Sequence, residues 1–179
     1  ILVAFPIYFA AMPSLIDDDM IGGGSPGLAG SLKISFNESV ISLEESVVLE
    51  DGETHETLFV LITEPNMNIG YVELQVSCFD NDDPGPGFTD SVEGASDLSE
   101  LDGIEDQTAE GQCSGGDSGF TMRWDITDNY TGTEYTEEGG SESEIGDRWT
   151  DGGLGRGTWA AMLTADVNSP PAPVIGQII

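Results

Sequence analysis

After residue 30 the chain alternates apolar and polar positions with a period of two. In "SLKISF" Leu32, Ile34 and Phe36 share one face. In "YVELQVSCF" Val72, Leu74, Val76 and Cys78 point one way and Glu73, Gln75 and Ser77 the other. "FTMRWDI" places Phe120, Met122, Trp124 and Ile126 together, and "TWAAMLTADV" does the same with Trp159, Ala161, Leu163, Ala165 and Val167. Alternation of this kind predicts half-buried strands of antiparallel sheets. "TLFVLI", residues 57–62, is a continuous apolar run and predicts a buried strand. "VISLEESVVLE", residues 40–50, is read as strand from its valines and isoleucine, with a short helix as the alternative. "SESEIGDRW", residues 141–149, has room for one helical turn. Five to seven strands joined by Gly/Asp-rich turns predict an all-β fold, an antiparallel two-sheet β-sandwich of jelly-roll or Ig-like form.

The pattern breaks at both ends. Residues 1–16 are almost wholly apolar and stop at Asp17, Asp18 and Asp19. The expectation is a helical membrane anchor or signal-anchor tail, although as a helix the run spans only about 24 Å and is shorter than a full crossing needs. A cleaved-signal remnant, a β-strand donated to a neighbouring subunit and an ordinary core element are the other readings. Residues 17–30 read as a Gly-rich linker, 31–167 as the β-sandwich domain, and 168–179, "NSPPAPVIGQII", as a Pro-rich tail or linker.

Charge narrows the function classes. Four Lys and Arg stand against 34 Asp and Glu, a formal net charge of -30. Such a surface repels nucleic-acid phosphates and anionic membranes, so nucleic acid is set aside as a partner. It also repels itself, and salt or divalent cations relieve that strain. A saline or calcium-containing exterior suits it; a salt-accumulating cytoplasm, with halophilic adaptation, is the competing home.

Cys78 and Cys113 are the only cysteines. One disulfide between them is expected, because other features point outside the cell, with two free thiols, one or both buried, as the alternative. Cys113 opens "CSGGDSGF", whose Gly-Asp-Ser-Gly surrounds the nucleophile of chymotrypsin-like proteases. A serine nucleophile needs a base in hydrogen-bond reach and an acid to orient that base. The single histidine, His55 in "GETHET", lacks the family's flanking residues, and Phe120 follows Gly119 where the motif has a second glycine. Ser118 is therefore read as a turn residue. Carboxylates abound, but nothing singles out a catalytic pair for glycoside hydrolysis. No catalytic residues are assigned, and the chain is expected not to be an enzyme.

Cation binding is the remaining chemistry. "DNDDPGPGFTD" offers Asp80, Asn81, Asp82, Asp83 and Asp90 around a turn after a strand. Calcium takes carboxylate and carbonyl oxygens. Pro84 and the missing glutamate at the twelfth position exclude an EF-hand. Asp80, Asp82, Asp83 and Asp90 are the candidate calcium ligands, with a solvated acidic loop as the alternative. Asn37 and Asn129 head two N-glycosylation sequons.

The order of "VELQV", acidic "FDNDDPG", a long Gly/Asp loop, "FTMRWDI" and "GRGTWAAMLTADV" is similar to the jelly-roll sandwiches of the convertase P-domain and bacterial prepeptidase C-terminal domains. The likeness covers residues 71–167, and its loop is longer than is usual there. It implies a non-catalytic accessory module. The expected role is a membrane-tethered extracellular sandwich with an adhesive, envelope-structural or binding role. Its membrane contact would run through residues 1–16, and its partners would be other surface proteins or neighbouring copies. The alternatives are a filament subunit assembled by N-terminal strand donation and an accessory domain of a larger secreted hydrolase.

Overall fold

The computed structural model describes residues 2–12, 31–63, 67–79, 89–113, 118–128 and 130–169. Ten strands are present among them. They form two four-stranded sheets, ordered β3-β1-β5-β8 and β4-β10-β6-β7, and a two-stranded ribbon, β2-β9. Every pairing is antiparallel. The fold is an all-β antiparallel sandwich with a third, small sheet beside the two main ones.

The central strands follow the alternation. In β5 (Asn68–Phe79) Val72, Leu74, Val76 and Cys78 are buried. In β8 (Gly119–Asp125) Met122 and Trp124 are buried, and in β10 (Gly157–Asp166) Trp159, Ala161, Leu163 and Ala165. Trp159 joins the sheets. Its ring meets Trp124 edge-on at 5.3 Å and stacks on Phe59 at 5.9 Å. Both buried indoles find acceptors: Trp159 Nε1 donates to the Gly155 carbonyl at 2.8 Å and Trp124 Nε1 to that of Glu105 at 2.9 Å. Each ring thus brings a large apolar area inside without an orphaned N–H.

Four expectations are corrected. Residues 2–12, expected as a helix, are strand β1 (Leu2–Met12), lying between β3 (Ser39–Val48) and β5. The segment is rich in aromatic and β-branched residues, and Pro6 would break a helix interior. The proline leaves a mark on the strand too. The β1–β5 register runs from Leu2↔Phe79 to Ala4↔Ser77 and resumes at Ile7↔Leu74, so Phe5 and Pro6 have no β5 partner. A residue without an N–H cannot complete a ladder there.

The run at 57–62 is not buried on both faces. It belongs to β4 (Thr54–Leu61), an edge strand with Thr57 and Leu61 inward and Leu58, Val60 and Ile62 exposed at 60%, 63% and 80%. From residue 31 onward nine strands stand against the five to seven expected, partly because the stretch read as an acidic loop contains β6 (Ser91–Asp97) and β7 (Thr108–Gln112). Their inward positions are small because bulk comes from elsewhere. The Phe120 ring occupies the space a side chain at Gly94 would need, and Gly111 packs directly on the Gly119 backbone. The last correction is to the sheet count, since β2 (Ser31–Ile34) and β9 (Tyr135–Glu138) pair apart from the two main sheets.

The expected helical turn is α1 (Glu142–Gly146). Ser141 caps it: its hydroxyl accepts from the Glu144 N–H while the Glu144 carboxylate accepts from the Ser141 N–H, a reciprocal capping box. The strand favoured for 40–50 is β3.

Candidate functional site

The ends of β5, β6 and β7 converge on the two cysteines. Cys78 and Cys113 form a disulfide with Sγ atoms 2.05 Å apart and Cα atoms 5.0 Å apart, and both residues are fully buried. Alternation in β5 turns Cys78 inward, and pairing of β7 with β6 brings Cys113 to the same end of the sandwich. The Cys113 N–H donates to the Asp90 carbonyl at 2.8 Å. Ser118 closes the other side: its hydroxyl donates to the Cys78 carbonyl at 2.6 Å and its own carbonyl accepts from the Cys78 N–H at 3.2 Å.

This settles where the parts of the protease-like motif go. Ser118 spends its hydroxyl hydrogen on a backbone carbonyl of β5. His55 sits on β4 in the other sheet, with Nε2 3.1 Å from Glu45 of β3. The structure does not bring Ser118 and His55 together as nucleophile and base.

Asp90 is the one predicted calcium ligand within the described residues; Asp80, Asp82 and Asp83 lie outside them. Asp90 is fully buried. One carboxylate oxygen accepts from the Asn168 N–H at 2.9 Å. The other, Oδ2, is buried and has no hydrogen-bond partner among the described residues. A buried carboxylate oxygen left bare is costly, and a cation or a proton relieves it. Among the described residues no group of three or more His, Cys, Asp or Glu is gathered as a metal site. Of the sequon asparagines, Asn37 is exposed and Asn129 lies outside the described residues.

A second polar centre escaped the sequence reading. Asp151, 4% exposed, accepts from the Ile69 N–H at 2.7 Å and from the Gly153 N–H at 2.8 Å, and pairs with Arg156 at 2.8 Å. Nothing in "TDGGLGRGT" marks this aspartate among so many others, because its Ile69 donor, and the Thr63 and Met67 acceptors that hold its partner Arg156, lie far away in the chain. A third feature is an aromatic cluster beside the ribbon. Phe36 meets Tyr130 at 5.2 Å and Trp149 at 5.1 Å, both edge-on, and Trp149 Nε1 donates to the Tyr135 hydroxyl at 2.9 Å. Burial, then Glu38, whose carboxylate accepts from the Tyr130 hydroxyl, holds that phenol above the usual tyrosine range.

The apolar segment at residues 2–12 is engaged along both edges of its backbone by β3 and β5. No helix among the described residues is long and apolar enough to cross a membrane. No family model, curated protein or solved structure matches the chain. The likeness to P-domain and prepeptidase C-terminal sandwiches therefore stands only at the level of an all-β sandwich.

Proposed function

We propose that the chain is a non-catalytic structural module of the cell exterior, serving in the envelope or in adhesion. The observation that carries this reading is the buried Cys78–Cys113 bridge. Such a bond persists in oxidising compartments and is rare where thiols are kept reduced. The net charge of -30 supports a salt-rich exterior, and exposed Asn37 is available for glycosylation there. Of the four readings of the apolar N-terminal segment, its pairing as β1 with β3 and β5 of the same chain supports a core element over a membrane tether. An accessory role beside a secreted hydrolase requires a catalytic domain in the same gene. The test is protease shaving of intact cells of the source organism, with peptides identified by mass spectrometry. Release of peptides from 31–167 is expected, and recovery only after lysis would sink the reading.

Calcium is a second element of this proposal, and the bare Oδ2 of Asp90 favours it. A cation beside this carboxylate would neutralise a charge at the point where β5, β6 and β7 meet. A carboxylate oxygen is the ligand type that calcium takes.

A further inference from the structure

Strand β3 pairs with β1 and, among the described residues, with no other strand. It is exposed along most of its length, with Val40 at 53%, Leu43 at 46% and Val48 at 69%. β1 thus holds β3 in the sheet and fills the groove between β3 and β5. With that groove empty, two rows of backbone N–H and C=O groups would lack partners, an arrangement that recruits a strand.

The connection between β1 and β3 is long for neighbouring antiparallel strands. Ala11 lies opposite Ser39, so the chain leaves β1 and returns to nearly the same place. A hairpin would need about two to five residues there. Instead residues 13–38 intervene, and of the described ones among them 31–34 form β2, paired elsewhere with β9. Residues 13–30 are rich in glycine and can reach as far as about 60 Å when extended. That surplus lets β1 enter the groove of another molecule with the same register and the same contacts it makes in its own.

We propose that β1 is exchanged between copies of this chain, each molecule's groove between β3 and β5 taking the β1 of a neighbour. The proposal deepens the reading of the chain as a structural module and rests on it. Reciprocal exchange closes a two-fold dimer, and exchange handed on from copy to copy propagates into rings or filaments. With a charge of -30 on each copy, assembly strengthens as salt rises.

The test uses the full chain carrying Ala10→Cys and Val40→Cys, residues directly opposite in the β1–β3 register. Opposed strand residues have Cα separations of about 4.5–5.5 Å, within disulfide range. The native cysteines are fully buried and paired. Chains labelled with light and heavy nitrogen are mixed unfolded, refolded together in molar salt and oxidised. Mass spectrometry then reads the cross-linked peptide. Exchange predicts a mixed-isotope species about as abundant as the two same-isotope species together, and covalent dimers or higher multimers on non-reducing gels. Same-isotope cross-links alone would show that β1 stays in its own chain and overturn the proposal. Absence of any cross-link would overturn it as well, since β1 would then not lie beside β3 in either arrangement. Neither failure touches the cell-surface reading, which shaving decides separately.

Discussion

Asp151 and Arg156 form an ion pair, Nη1 to Oδ2 at 2.8 Å, with the aspartate side chain only 3% exposed. Arg156 also donates from Nε to Thr63 Oγ1 at 2.8 Å and from Nη2 to the Met67 carbonyl at 2.7 Å. The pair thereby fastens the turn before β10 to the β4–β5 connection. Removing one partner of a buried pair strands the other, at a cost of about 3 kcal/mol or more. Asp151→Ala is expected to lower unfolding stability by that much in urea titrations. Arg156→Lys keeps the charge but loses the fork, and should fall between wild type and Asp151→Ala. A loss below about 0.5 kcal/mol for Asp151→Ala would show the pair to be idle.

The Cys78–Cys113 bridge closes a loop with a sequence separation of 35. In the chain-entropy model a loop of this size stabilises by about 3–4 kcal/mol. Cys78→Ala with Cys113→Ala should lose that amount in denaturant melts. Both cysteines are fully buried, so reduction of the folded wild type should be slow and should accelerate in denaturant. Rapid reduction by dithiothreitol in native buffer would contradict this burial.

A Cβ at Gly94 would run into the Phe120 ring. Gly94→Ala is therefore expected to cost about 1–3 kcal/mol through overpacking. Phe120→Leu should reduce that penalty, giving a favourable coupling in a double-mutant cycle. Gly119 differs: φ is +124° and a Cβ would meet the Val76 carbonyl, so Gly119→Ala should destabilise without rescue by Phe120→Leu. Additive effects at Gly94 and Phe120 would refute the contact.

Two groups give the stability a pH dependence with opposite signs. The Glu144 carboxyl is held below its ordinary 4.5 by the Ser141 backbone N–H and then its hydroxyl. Its contribution is complete above that value and fades as pH falls through the lower folded value. The Tyr130 phenol is raised above its ordinary 10.0, first by burial and then by Glu38. Its contribution is complete below that value and fades as pH rises toward the folded one. Glu144→Gln should flatten the acid limb of a thermal-melting profile, and Tyr130→Phe the alkaline limb. Unchanged limbs in both variants would count against these hydrogen bonds.

Calcium should raise the melting temperature, and a chelator should reverse the gain. Binding to the folded state alone is worth about 2.7 kcal/mol at a hundredfold excess over Kd. Asp90→Asn should abolish the response while magnesium gives a weaker one. Identical melts with calcium and with chelator would remove calcium from the proposed function.

The alternation at 71–79, 120–126 and 158–167 identified the buried strands by itself, because a residue that faces the core in a pleated sheet must be apolar at every second position. The disulfide expected of a chain outside the cell is present between Cys78 and Cys113. Three things were decided only by tertiary structure. β6 and β7 look polar and glycine-rich because Phe120 and the Gly119 backbone supply the bulk opposite them, and that is invisible along the chain. Asp151 accepts from the Ile69 N–H, 82 positions away along the chain, and only folding brings that donor to it. An apolar run such as residues 2–12 satisfies its backbone equally well as a helix, within itself, or as a strand, between two others. The presence of unpaired β3 and β5 edges on either side chose the strand.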